Sequence, residues 1–268
     1  MIKFSVLTSI YKSEPYLNTY FKTIFSQKVL PSEIILVDDK KNPQNLNEII
    51  DEKKELYNFK NKKLYKNYKN LGPAKSLNIG LKYCSNNLIF RLDVDDEWKV
   101  DHTYKMLEFY KKNENCIIYS NSIQKQDFLT NLKCDKYFIN ENHLIHSSWL
   151  INKNVCSDFR YRMETPSVAL EDYFTILYYK KKNYKIYYTH EKTTNYNYVE
   201  NSHGRLNSQN YKYLKTRKLI SRIFLGLYMK DKNWYEKIKF IIFKFGIIKL
   251  LVFLFWIQDY AYIRKLIK

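Results

Sequence analysis

The chain has only four cysteines in 268 residues, and Cys84, Cys116, Cys134 and Cys156 match neither the spacing of a metal site nor that of a disulfide framework. They read as buried thiols of a reducing compartment. No signal peptide is expected either, since a strand pattern, Lys3-Phe4-Ser5-Val6-Leu7-Thr8, begins almost at the first residue. The expected location is therefore the cytoplasm. There is no internal repeat and no long linker. The unbroken apolar run Leu250–Ile257 has eight residues, whereas crossing a bilayer takes about 20. Recognition-helix, zinc-finger and RNA-binding-sheet motifs are absent as well. A net charge of +19 and 26 tyrosines thus leave a nucleic-acid-binding protein as a rival reading only, and no nucleic acid partner is expected.

What the chain does have is carboxylates at the ends of short apolar runs. Asp93-Val94-Asp95-Asp96 directly follows Leu88-Ile89-Phe90, and Asp38-Asp39 follows Glu33-Ile34-Ile35-Leu36-Val37. Hard divalent cations such as Mg²⁺ or Mn²⁺ take oxygen ligands, typically one or two carboxylates completed by substrate phosphates. A solvated acidic turn with a helix cap reads the same way when taken alone. Ahead of both runs, Leu17, Tyr20, Phe21, Ile24 and Phe25 recur at three- and four-residue spacing, one face of a helix. A charged helix is expected over about residues 45–57, a short strand near Lys63–Tyr65, and a helix opening at Pro73 after Gly72. Alternating strands and helices predict an α/β fold with a mainly parallel sheet. Ligands of open parallel sheets bind beyond the carboxyl ends of the strands, where both acidic clusters lie.

Five segments in this order resemble glycosyltransferase family 2, the GT-A fold enzymes that use nucleotide sugars. They are Ser5 to Tyr11, Gln27 to Ile34, Val37-Asp38-Asp39, Asn70 to Leu81 (Asn-Leu-Gly-Pro-Ala-Lys-Ser-Leu-Asn-Ile-Gly-Leu), and Arg91 to Asp96. The likeness covers residues 3–205 and is strongest to amylovoran- and O-antigen-type enzymes of bacterial surface polysaccharides. It implies a GT-A α/β domain over 1–205 with a mostly parallel central sheet flanked by helices. The donor would be a nucleotide sugar, most simply a UDP-sugar, and the acceptor a glycan or lipid-linked glycan. By the same resemblance Asp38 accepts the ring N–H of the base, while Thr8, Ile10 and Tyr11 line its pocket. Asp93 bonds the ribose and Asp95 holds Mn²⁺ or Mg²⁺ against the diphosphate, a Lewis-acid role. Lys75 and Arg91 are electrostatic helpers near the phosphates, although Lys75 also reads as an exposed helix residue. His146-Ser147 falls on the acceptor side, where His146 would help shape the site.

The resemblance also places Glu171-Asp172 at the acceptor, with Asp172 as the base that takes the hydroxyl proton in an inverting transfer. Carboxylates in the first turn of a helix also serve as simple caps. His203 and Arg205, in the polar stretch after Asn195, would reach the metal or diphosphate, but Tyr196-Asn197-Tyr198 departs from the family pattern just ahead of them. A non-catalytic scaffold of the same fold is the remaining rival, and intact Asp38, Asp93, Asp95 and Asp172 argue against it.

The final quarter reads differently. Residues 201–268 hold 15 Lys and Arg against 3 Asp and Glu, more than half of the excess charge. Leu214 to Met229 mixes basic and apolar residues, and Phe240 to Ile257 is apolar except at Lys244, Gly246 and Lys249. A lysine near the middle of a bilayer costs about 2.5–3.5 kcal/mol. Residues 206–268 are therefore expected to form a basic helical tail lying in the interface, its lysines at anionic headgroups. That makes the expected enzyme peripheral at the inner face of the cytoplasmic membrane. A full span, or a helix that packs in an oligomer, is the alternative.

Overall fold

The computed structural model describes residues 2–39, 46–56, 59, 61–112, 115–122, 145–162 and 171–197. The basic tail, His203 and Arg205 lie outside the described residues. Among the described residues, eight strands run β1 (Ser5–Ile10), β2 (Glu33–Asp38), β3 (Lys62–Lys66), β4 (Leu88–Arg91), β5 (Glu97–Trp98), β6 (Ile117–Ser122), β7 (Leu150–Asn152) and β8 (Ile186–Asn195). The helices are α1 (Leu17–Phe25), α2 (Leu46–Leu56), α3 (Pro73–Tyr83), α4 (His102–Lys112) and α5 (Glu171–Lys181). All eight strands form one sheet in the order β3-β2-β1-β4-β7-β6-β8-β5.

The first half of the sheet is parallel, as the alternation predicts: β3 on β2, β2 on β1, β1 on β4. Its strands alternate between two cores. Val6, Ile10, Ile34, Leu36 and Phe90 pack with the α1 residues Leu17, Tyr20, Phe21 and Ile24. Leu7, Ile35, Val37 and Ile89 pack on the other face with Leu77 and Leu81 of α3. A strand covered on both faces reads as a continuous apolar run, which is why these strands are visible in the sequence. On α3, a Cβ at Gly80 would collide with Leu7 and come within 2.9 Å of Val37 Cγ2, so only glycine lets the helix lie this close to β1 and β2.

The second half departs from a purely parallel sheet. β7 is antiparallel to both β4 and β6, and the two-residue β5 is antiparallel to β8. β1 also begins and ends two residues later than the sequence pattern suggests. Its pairing with β2 runs through Ile10 and Asp38, a partnership the apolar run alone does not reveal. The consequence for function is directional. β1, β2 and β4 are parallel, so Tyr11, Asp38-Asp39 and the turn after Arg91 all emerge at one edge of the sheet. Among the described residues, no helix is long and apolar enough to cross a membrane.

Candidate active site

Asp38 ends β2 almost sealed from solvent. Asp39, the next residue, holds the following loop: its carboxylate accepts from the backbone N–H of Leu71 at 2.7 Å, of Gly72 at 2.8 Å and from Asn67 Nδ2 at 2.9 Å. Gly72 sits at φ +82°, a conformation that favours glycine, and Pro73 then opens α3. Lys75 is exposed in the first turn of α3. Of the three residues expected around a base, Tyr11 alone presents a side chain to solvent, its ring 38% exposed. Ile10 is buried in the core, and Thr8 donates to the Leu92 carbonyl at 2.7 Å while bonding Tyr20 Oη at 2.9 Å. Both side chains are closed to a ligand, so what Thr8 and Ile10 can offer one is backbone.

Arg91, the last residue of β4, is buried to 1% exposure. Its guanidinium donates to the carbonyls of Leu7 (3.4 Å) and Leu92 and forms an ion pair with Asp93. A buried cation needs a partner, and here the partner pins the acidic turn to β1. Arg91 therefore acts on a phosphate only through space or through Asp93. Burial alone would push the Asp93 carboxyl up, but the Arg91 guanidinium and the Ser147 hydroxyl hold it below the usual carboxylate range.

Asp93 and Asp95 both feel this buried cation, and Asp96 stands beside them. Burial and the charge of Asp93 push Asp95 up to about 6. Burial and the charges of Asp93 and Asp95 push Asp96 up to about 8. Ser147, in the 3-10 turn His146–Ser148, reaches two of them. Its Oγ accepts the Asp93 N–H at 3.0 Å, donates to Asp93 Oδ2 at 3.1 Å, and is hydrogen bonded to Asp96 Oδ2. One hydroxyl has one proton, so it cannot donate to two ionised carboxylates at once. A proton on Asp96 satisfies all three contacts, in keeping with its raised pKa. The other Asp96 oxygen accepts the Asn197 N–H at 3.0 Å, which ties the turn to the segment leaving β8.

His146 packs edge-on to Trp149 and Tyr161, with ring centroids 4.8 and 5.2 Å away. Its Nδ1 lies 3.8 Å from Asp93 Oδ2, but burial and the Arg91 charge push the imidazole down to about 3. The ring is neutral at physiological pH, and the contact is dipolar rather than an ion pair. His146 thus lies beneath Asp93. Glu171 and Asp172 open α5, where the helix dipole favours negative charge. Burial and the charge of Asp172 push Glu171 up to about 8; Asp93 adds to that rise, while Arg91 works against it. The hydroxyl of Tyr196, 40% exposed just beyond β8, is pushed up to about 12 by burial and by Asp96, Asp93, Asp95 and Asp172. The acidic turn and the start of α5 are therefore electrostatic neighbours.

Among the described residues, no group of three His, Cys, Asp or Glu side chains forms a ready metal site. A hard divalent cation held by one or two carboxylates and completed by phosphate oxygens and water does not require one. Asp95 has the oxygen chemistry for such an ion, and its raised pKa marks negative charge that Arg91 does not balance. The donor set fits Mn²⁺ or Mg²⁺. The sequence gives Asp39, Asp96 and Asn197 no individual roles, although each lies within a stretch singled out there, and it sets Ser147 beside His146 on the acceptor side rather than against the acidic turn.

The family model for glycosyl transferase family 2 matches residues 5–189. A stretch of 128 residues is 34% identical to a UDP-Gal:alpha-D-GlcNAc-diphosphoundecaprenol beta-1,3-galactosyltransferase of Escherichia coli, covering 47% of this chain and 46% of that protein. An uncharacterized glycosyltransferase of Haemophilus influenzae is 27% identical over 206 residues, 70% of this chain and 76% of its own length. In fold, the chain is similar to S. aureus TarS 1-349 in complex with UDP, with a TM-score of 0.61 and 18% identity, covering 83% of this chain and 65% of that one. It is likewise similar to the mannosyltransferase PcManGT from Pyrobaculum calidifontis in complex with GDP-Man and Mn²⁺, with a TM-score of 0.62 and 12% identity, covering 84% and 64%. The matches to the Escherichia coli galactosyltransferase and to a second Haemophilus influenzae protein each span under half of those relatives' lengths.

Proposed function

Because the chain belongs to glycosyl transferase family 2, and so is a glycosyltransferase with a GT-A-like fold, we propose that it carries out an inverting transfer of a sugar from a UDP-sugar to a hydroxyl of a lipid-linked glycan. The observation that carries this reading is the single sheet edge where Asp38 and the Asp93-Val94-Asp95-Asp96 turn emerge together, with Glu171 at the start of α5 near enough to feel the Asp93 charge. Asp38 accepts the ring N–H of the base, beside the exposed ring of Tyr11. Asp93, oriented by Arg91 and Ser147, accepts from the ribose hydroxyls. Asp95 would hold Mn²⁺ or Mg²⁺, which when bound neutralises charge on the departing diphosphate.

The chemistry at the acceptor is a single displacement. The acceptor oxygen forms its bond to the anomeric carbon as the bond from that carbon to the diphosphate oxygen breaks, and the electron pair leaves with the nucleotide. The hydroxyl proton goes to Asp172, which needs to be ionised for the task. Glu171, which retains its proton near neutrality, does not compete for it. The Escherichia coli relative, whose name specifies a UDP-Gal donor and a diphosphoundecaprenol-linked acceptor, supports the donor and acceptor classes. Residues 206–268 would bring the catalytic domain to the anionic inner surface of the membrane where such acceptors sit, and His203 would close on the diphosphate.

The test is release of nucleotide from a panel of UDP-, GDP- and other nucleotide sugars, with and without Mn²⁺ and a lipid-diphosphate-linked sugar. Acceptor-dependent release of UDP from one or two UDP-sugars is the expected result. No release from any of them under any condition contradicts the proposed reaction.

A further inference from the structure

Ser147 is sealed from solvent, yet it is 51 residues from one carboxylate of the acidic turn and 54 from another, and it bonds both. A hydroxyl placed between two acids is costly unless each contact is satisfied, because buried polar groups must find partners. Three further bonds fix where it stands. Its own carbonyl accepts the Trp98 indole N–H at 2.6 Å, Ser148 N–H donates to the Ile145 carbonyl at 2.9 Å, and Trp149 N–H donates to the His146 carbonyl at 3.2 Å. The turn that carries Ser147 is thereby anchored on both sides before any ligand arrives.

We propose that Ser147 is a positioning residue for the transfer: its hydroxyl sets the separation of Asp93 and Asp96, and through them the aim of Asp95, which lies between the two in the chain. Arg91 holds Asp93 from one side and Asn197 holds Asp96 from the other. The turn itself is closed by the Asp96 N–H donating to the Asp93 carbonyl at 3.2 Å, and Ser147 is the side-chain link between the two carboxyl groups. Without it the two carboxyl groups swing apart and the segment carrying Asp95 loses its fixed direction. The proposal rests on the donor reading of this site and adds a residue that touches neither the sugar nor the base.

Ser148 supplies the control. It is equally buried in the same turn, but its hydroxyl is hydrogen bonded to the carbonyls of Ser120 and Ile145, away from the acids. The experiment is calorimetric titration of UDP, with and without Mn²⁺, into the full chain and into Ser147→Ala, Ser147→Cys and Ser148→Ala, alongside urea unfolding of each. The thiol of Ser147→Cys fills nearly the same space but is a weak donor, so it separates hydrogen bonding from volume. Loss of a hydrogen bond that orients metal and substrate ligands typically costs about 10–100-fold in affinity. That loss is expected in both Ser147 variants and in the Mn²⁺-dependent part of the binding, while Ser148→Ala lowers stability and leaves UDP affinity at the parent value. Parental UDP affinity in Ser147→Cys overturns the proposal, whether or not Ser147→Ala folds, and so does an equal loss in Ser148→Ala. A parent chain that binds no UDP at all overturns the donor reading itself, and the role of Ser147 falls with it.

Discussion

Arg91→Met keeps the length of the buried stem and removes its charge. The guanidinium pairs with Asp93 and donates to the carbonyls of Leu7 and Leu92, all at an arginine only 1% exposed. Deleting one partner of a buried pair costs about 3–5 kcal/mol, because the other charge is stranded. Two features reduce that figure here. The Asp93 side chain is 35% exposed, so water reaches the freed carboxylate, and Ser147 still donates to it. The orphaned carbonyls act in the opposite direction, at roughly 1–3 kcal/mol for each group left unsatisfied. The balance is a loss of about 2–4 kcal/mol at pH 7.

The charge has a distinct signature. Asp93 has its folded pKa depressed, so its contribution is present above the unfolded value of about 3.9 and is lost as pH falls through the folded value. The part of the difference between parent and variant that comes from Asp93 should therefore be constant from about pH 5 to 8, while Asp95 and Glu171, which Arg91 also holds down, add a loss that grows as pH rises across that range. Adding Asp93→Asn to Arg91→Met removes both charges, and the double variant should recover at least about 1 kcal/mol. Urea unfolding followed by circular dichroism measures all three proteins. A single variant as stable as the parent, or a double variant less stable than the single one, refutes the pairing as the anchor of this turn.

Other outcomes follow from the same geometry. Asp172→Asn should leave UDP affinity nearly unchanged while lowering turnover by about 10²–10⁴-fold; normal turnover in Asp172→Asn with loss in Glu171→Gln would move the base by one residue. Glu171 has its folded pKa raised to about 8, so its stabilising contribution is complete below the unfolded carboxylate range and is lost as pH rises towards 8. Unfolding free energy of the parent should therefore fall between pH 5 and 8 by up to about 1.4 kcal/mol per pH unit from this group, and Glu171→Gln should flatten that slope. An equal slope in both proteins removes the shift. Deleting residues 232–268 should abolish co-sedimentation with anionic liposomes while sparing UDP binding, and binding of the full chain should weaken but persist at high salt. Equal solubility of the two forms, with dimerisation only of the full chain, would make the tail a protein interface.

How much of this was legible in the sequence depended on whether an element announces itself locally. The parallel strands did, since burial on both faces turns them into apolar runs, and the carboxylates at their ends stood out against those runs. The buried stripe of α1 was readable for the same reason, through Leu17, Tyr20, Phe21 and Ile24. Short elements were not. Glu97-Trp98 becomes a strand only because β8 lies beside it, and Leu150–Asn152 becomes the antiparallel centre of the sheet only because β4 and β6 flank it. The site divides in the same way. Asp38, Asp93 and Asp95 follow directly from strand ends, but Ser147 acquires its position through a contact across 54 residues. The side chains of Thr8 and Ile10 are closed off because β1 is covered on both faces, which the motif alone did not disclose.

The central claim is that the sheet edge bearing Asp38 and the Asp93-Val94-Asp95-Asp96 turn binds a nucleotide diphosphate with a divalent cation. Calorimetric titration of UDP into the parent, Asp38→Ala and Asp95→Ala, each in Mn²⁺ and in EDTA, tests it most directly. The account predicts that the parent binds UDP more tightly in Mn²⁺, that Asp95→Ala binds at the EDTA level whether or not metal is present, and that Asp38→Ala weakens binding in both conditions. Binding by the parent that is indifferent to Mn²⁺ and to both substitutions would contradict it.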